Sequence, residues 1–166
     1  MNSQPSILVA GIGNVFLGDD GFGVEVIRRL NQRTVPAHVK VVDFGIRGMD
    51  LVYALLESFD LVILVDTVSR GGPPGTIYVM ELDGNTPEEA FGSLDAHGMN
   101  PMRVLQSVQA MGGDSCRRTL LVGCEPESFG DEAEGYMGLS RQVEIAIDEA
   151  IAAIQELCKV DVGMAG

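Results

Sequence analysis

Residues 61–66 read Leu-Val-Ile-Leu-Val-Asp, five consecutive apolar side chains closed by a carboxylate. A half-exposed strand alternates apolar and polar residues, whereas an unbroken run of this length suits a strand covered on both faces. Such strands occur in sheets that carry helices on either side. Upstream, Ser6–Gly11 (SILVAG) is a second short apolar run, and Val39–Phe44 a third strand candidate. Between them Phe22, Val26 and Leu30 lie on one helical stripe, with Val24 and Ile27 beside it. Asp50–Ser58 is a short helix candidate after the turn GIRG. Downstream, SRGGPPG breaks the chain and Thr76–Leu82 resumes as a strand.

Residues 83–99 are rich in Gly, Asn, Pro, Ser and Asp and read as a loop. Asn100-Pro101 is a helix start, a capping residue followed by proline at the first helical position. Val104, Leu105, Val108 and Met111 form the expected apolar face of that helix, and Gly112-Gly113 ends it. Thr119–Cys124 is the last strand. Ser140 caps a final helix whose inward stripe is Val143, Ile147, Ala150, Ile151, Ile154 and Leu157. The order β-α-β-α-β-β-α-β-α predicts an α/β fold, a three-layer α/β/α sandwich on a five-stranded, mostly parallel sheet. The passage from the third strand to the fourth without a helix predicts one antiparallel strand. The 166 residues carry no internal repeat or linker, so one domain over residues 1–166 is expected.

Composition narrows the function classes. The formal charge of −13, from 24 acidic and 11 basic residues, opposes binding to phosphate backbones and makes a nucleic-acid partner unexpected. The same charge suits cations or basic partner segments, and serves solubility equally well. No run approaches the roughly 18 apolar residues of a membrane span. The start, MNSQPS, lacks the basic residues of a secretory signal. The three cysteines Cys116, Cys124 and Cys158 form no CxxC pair and fit reduced thiols. A cytoplasmic protein is therefore expected, and no heptad repeat argues against a monomer.

In open α/β sheets, sites form beyond the carboxyl ends of the strands. Three features collect there: the turn GIGNVFLGDDGFG (Gly11–Gly23), Asp66 at the end of the third strand, and His97 in the loop before the third helix. A dinucleotide-binding loop competes for the first of these. Gly11-Ile12-Gly13 starts like G-x-G-x-x-G, and Asp43 stands where a ribose-binding acid would. However, Phe16 occupies the third glycine position, and Asp19 and Asp20 near the helix start would repel a pyrophosphate. Taken singly, Asp20 reads as a helix cap, Asp66 as a strand-end carboxylate bonded to nearby amides, and His97 as a loop residue. Together, two carboxylates and an imidazole are an oxygen-and-nitrogen set for a borderline divalent ion such as nickel or zinc, with positions left open for water or substrate.

The sequence resembles the nickel-iron hydrogenase maturation endopeptidases from about Ile7 to Ile154. The resemblance rests on G-I-G-N-V-F-L-G-D-D-G-F-G at Gly11–Gly23, D-F-G-I-R-G at Asp43–Gly48, and L-V-D at Leu64–Asp66 with P-G-T-I after it. His97 before a helix and V-G-C-E-P-E-S at Val122–Ser128 follow in the same order. It implies an enzyme that removes a short C-terminal extension from the hydrogenase large-subunit precursor after nickel has been inserted. It further implies that Asp20, Asp66 and His97 are the metal-binding and catalytic positions; some members carry Glu where this chain has Asp20. The nickel would arrive with the substrate, and zinc or cadmium could occupy the same site as a surrogate. The metal would position the scissile peptide and either polarise its carbonyl or activate a water; alternatively, one of the aspartates takes the proton from that water. Arg47, with Gly45 and Gly48, is expected to hold the substrate tail, and Met49 with residues 69–75 to form the rim of a cleft. No G-x-S-x-G elbow or H-E-x-x-H helix occurs. Three other readings stay open: a Cys-His protease, a non-proteolytic nickel chaperone or checkpoint protein, and a nucleotide-binding oxidoreductase.

Overall fold

The computed structural model describes residues 4–83, 101–113, 118–130, 135 and 137–159. Five strands form one sheet: β1 (Ile7–Ile12), β2 (Val39–Gly45), β3 (Leu61–Thr67), β4 (Ile77–Leu82) and β5 (Arg118–Cys124). Four helices accompany them: α1 (Phe22–Leu30), α2 (Gly48–Leu55), α3 (Pro101–Ala110) and α4 (Arg141–Lys159). The strand order is β2-β1-β3-β5-β4. The first four strands of that order are parallel, and β4 pairs antiparallel with β5 at the edge. This is the expected α/β/α sandwich with one antiparallel strand.

Side-chain parity divides the core in two. Ile7, Val9, Ile63, Val65, Leu120 and Val122 pack under α1 and α4, together with Phe22, Ile27, Ile147 and Ile151. Leu8, Ala10, Val62, Leu64 and Leu121 point the other way, against Leu51, Leu55, Met102 and Val108 of α2 and α3. Alternate residues of one strand thus feed opposite layers, which is why LVILVD carries no polar residue before Asp66. Two sequence expectations need correction. Helix α2 begins at Gly48 and stops at Leu55, two to three residues ahead of the expected bounds. On α3, Met111 lies beyond the helix and is exposed, while Met102 takes the buried position.

The topology fixes where a crevice must open. The chain leaves β1 toward β2 on one side, then returns past β1 to β3, passes to β4 at the far edge and comes back to β5 between them. The winding direction reverses between β1 and β3, and their carboxyl ends diverge there. The turn after β1 and the end of β3 carry Asp20 and Asp66, one on each side of that point.

Candidate functional site

The turn after β1 is built without freedom to spare. Gly13 continues from β1 with φ 139°, and its N–H donates to the carbonyl of Gly45 at the end of β2 (3.0 Å). A Cβ at Gly13 would lie 1.9 Å from the Asp20 carbonyl oxygen and 3.8 Å from Asp66 Oδ1. The glycine is therefore the point where the Asp20 backbone and the Asp66 carboxylate close on the same space. A 3-10 turn follows at Gly18–Gly21 and runs directly into α1. The Asn14 N–H donates to Asp20 Oδ2 (2.9 Å), and the Asp20 N–H donates to the Leu17 carbonyl (3.0 Å). Asp20 is thus not the helix cap it resembles in sequence: Gly21 holds that position, with no side-chain cap.

Asp66 ends the run of buried residues on β3 and is itself buried. The Thr67 N–H donates to its Oδ1 (2.7 Å). Burial, and next the negative charge of Asp20, push its proton affinity well above the ordinary carboxylate range, against the pull of that one amide. The charge of Asp20 makes ionisation of Asp66 costlier, so beside these two carboxylates a proton or a cation would relieve Asp66. With an imidazole, this donor set fits a borderline divalent ion such as nickel. His97 lies outside the described residues.

Arg47 is engaged within its own turn. Its guanidinium donates to Asp50 Oδ2 (3.3 Å) and to the Asp43 carbonyl, and stands over the Phe44 ring 6.0 Å from the centroid. Gly45 joins the end of β2 to Gly13, and Gly48 is the first residue of α2. Arg47, Gly45 and Gly48 flank the turn that carries Asp20 without reaching into it by any bond to Asp20 or Asp66 among the described residues. Met49 is exposed.

Two buried carboxylates were missed in the sequence. Asp19 is fully buried; its Oδ2 accepts hydrogen bonds from the N–H groups of Glu127 (2.8 Å) and Ser128 (3.0 Å) and from Ser140 Oγ (2.8 Å). Its Oδ1 accepts from the Ser140 N–H (2.7 Å). Glu125, just past β5, accepts from the N–H groups of Arg70 (2.8 Å) and Gly71 (3.1 Å) and from the Tyr78 hydroxyl (2.9 Å). Burial and the Glu125 carboxylate hold the Tyr78 hydroxyl above its usual range, so it remains a donor. The segment after Asp66 is thereby shaped by Glu125, and the turn before Asp20 by Asp19. The tandem Asp19-Asp20 was a signal of divided roles, but their partners are 108 or more residues away for Asp19.

The cysteines offer no ready nucleophile among the described residues. Burial, followed by the charges of Asp19, Glu125 and Glu149, pushes the Cys124 thiol up to about 12, and burial alone pushes Cys158 up to about 11. A thiol so far from ionisation does not support a Cys-His mechanism. No helix among the described residues is long and apolar enough to cross a membrane.

Comparison with known proteins bears on this geometry. The family model described as hydrogenase maturation protease matches residues 24–157. A putative hydrogenase maturation protease of Methanocaldococcus jannaschii is 33% identical over 152 residues, covering 91% of this chain and 95% of that protein. The hydrogenase 2 maturation protease of Escherichia coli is 31% identical, covering 90% and 91% of the respective chains. Among solved structures, the hydrogenase maturating endopeptidase HybD from E. coli superposes with a TM-score of 0.74 at 31% identity, over 92% of this chain and 93% of that one. The [NiFe] hydrogenase maturation protease HycI from Thermococcus kodakarensis gives a TM-score of 0.72 at 25% identity over 96% of each chain.

Proposed function

The chain belongs to the hydrogenase maturation protease family, and from that membership we propose that it is the endopeptidase that trims the C-terminal extension of a nickel-iron hydrogenase large-subunit precursor once nickel is in place. The observation that carries this reading is the pairing of Asp20 and Asp66 across the point where the sheet reverses its winding. A divalent ion brought in by the substrate would offset the negative charge that Asp20 sets against Asp66. His97 supplies the third donor in this reading. The nickel is substrate, not a resident cofactor; it anchors the precursor so that the scissile bond lies beside the carboxylates.

The division of labour follows from the surroundings of each group. Asp20 is half-buried and its Oδ2 is held by the Asn14 amide, which fixes it where a ligand is needed. Asp66 is the group whose proton affinity is raised, so it is the better suited to take a proton from an attacking water. Binding of the cation between them returns Asp66 to its charged form. Arg47 beside the turn serves the outgoing tail.

The test is a mass measurement. The chain is mixed with nickel-loaded precursor and with the same precursor free of nickel. Loss of a C-terminal peptide from the loaded form only is the expected result. Stable binding with unchanged mass would instead identify a nickel checkpoint protein, and cleavage of both forms would remove nickel from the recognition step. Changing His97 to Ala is expected to abolish cleavage of the loaded precursor; cleavage at the wild-type rate would overturn the ligand assignment.

A further inference from the structure

Asp19 and Asp20 are neighbours in sequence with opposite surroundings. A 3-10 turn advances by about 120° per residue, so consecutive side chains leave it on different sides. Asp20 turns toward Asn14 and Asp66; Asp19 turns into the protein and loses all contact with water. A carboxylate in that position is tolerated only when its lone pairs are filled. Here they are filled by four donors from two distant segments, the residues after β5 and the start of α4. With three bonds on Oδ2 and one on Oδ1, little capacity is left for a cation.

The contact is reciprocal. The Asp19 N–H donates to the Ser128 carbonyl (3.0 Å), while the Asp19 carboxylate accepts from the Ser128 N–H. Gly18, at φ 55°, lets the two backbones lie flush: a Cβ there would stand 2.8 Å from the Ser128 oxygen. The turn is therefore bolted on one side to residues 127–130 and on the other, through Gly13 and Asn14, to the end of β1. Asp20 sits between these two fixings.

Resting on the protease reading above, we propose that Asp19 is a positioning residue: by holding Glu127, Ser128 and Ser140 it sets where the Asp20 carboxylate stands against Asp66. It acts through Asp20 and does not touch the substrate. The Ser140 hydroxyl is the adjustable element, because it contributes one of the four bonds and leaves the backbone donors intact.

The experiment compares wild type, Asp19→Asn, Ser140→Ala and Ser140→Thr as full chains. It measures kcat and KM for cleavage of the nickel-loaded precursor, together with amide hydrogen exchange. Asp19→Asn is expected to lower kcat/KM by ~100-fold, the scale of a misplaced group, with the loss falling on kcat as well as KM because the Asp20 carboxylate that meets the nickel is shifted against Asp66. Exchange should quicken at Glu127, Ser128, Ser140 and Asn14 and stay slow at Val9 and Ile63. Ser140→Ala should give a smaller fall in kcat, and Ser140→Thr, which restores the hydroxyl, should recover it. Faster exchange at the four amides with kcat unchanged would overturn the proposal and leave Asp19 a purely structural residue. A rise in KM with kcat unchanged would overturn it, because a shift of Asp20 against Asp66 must also slow the chemical step. If Asp19→Asn loses protection throughout the sheet, the serine pair decides, and equal kcat in Ala and Thr overturns the proposal. A wild-type chain that leaves the precursor uncut sinks the protease reading and this proposal with it, whereas a wild type that cuts alongside unaltered variants sinks this proposal alone.

Discussion

Asp19 and Asp66 are both buried carboxylates at the same end of the sheet, and they are treated in opposite ways. Asp19 meets four donors. Asp66 meets the amide of the next residue and the negative charge of Asp20. The first arrangement spends burial on rigidity, because a satisfied buried carboxylate resists movement. The second leaves electrostatic strain that a cation or proton relieves. The difference separates a group that holds the site from a group that works in it, and neither burial nor residue type alone would have told them apart.

The comparison is broken most severely at Asp66. Replacing it with Asn should lower cleavage by ~10²–10⁴-fold, the usual worth of a proton-transfer group, as followed by the rate of peptide release. The same replacement should raise the melting temperature at neutral pH, since a neutral amide escapes the cost of a buried charge beside Asp20. Activity and stability moving in opposite directions is the signature expected of a working group; a fall in both would place Asp66 with Asp19.

Glu125 extends the comparison to a second holding group. Glu125→Gln keeps the shape but turns an N–H toward at least one donor, at a cost of about 1–3 kcal/mol for a buried charged hydrogen-bond partner. The urea midpoint should fall, with the loop at residues 70–72 exchanging faster. An unchanged midpoint would show that the loop holds its shape without Glu125.

The pH dependence sharpens the same contrast by a smaller amount. The folded chain holds the Asp66 proton more tightly than the unfolded chain does. Its contribution to stability is therefore present in full below the ordinary carboxylate range and is lost as pH rises through the raised folded value. The stability advantage of Asp66→Asn over wild type should grow with pH and vanish in acid, as read from paired denaturation curves. An advantage independent of pH would mean that Asp66 is not ionising in that window. The least effect is expected at Cys158, whose raised thiol keeps it from nucleophilic work. Cys158→Ser should leave kcat within about twofold of wild type, and a large loss would revive a thiol mechanism.

Most of the layer structure was legible because it follows from short-range pattern. Leu61–Val65 could be read as a doubly covered strand from hydrophobicity alone, and the stripe from Val143 to Ile154 as the inward face of a long helix. The helix bounds were less legible: α2 starts inside the GIRG turn, at Gly48, where propensity argues against it. Met111 was misplaced because periodicity carried the α3 face one residue past Ala110, where the helix ends. At the site, Asp66 was legible as a strand-end carboxylate and Asp20 only as a helix cap, a position that Gly21 holds instead; the family motifs gave the two a shared role. Asp19 was not, because its donors are 108 to 121 residues further along and no local pattern encodes them. His97 remains a reading of the sequence.

The bond between Asp19 and Ser140 has a consequence in the order of synthesis. Turn residues 13–21 leave the ribosome early, and the sheet edge beside them takes shape as β3 follows. The donors that fix Asp19 are made only with residues 127, 128 and 140, when most of the chain is already out. Contacts of such long sequence separation close late in folding. A nascent or truncated chain that stops short of Ser140 therefore has its carboxylates but not the clamp that aligns them, so that by this reading competence to cut begins only when the last helix has docked.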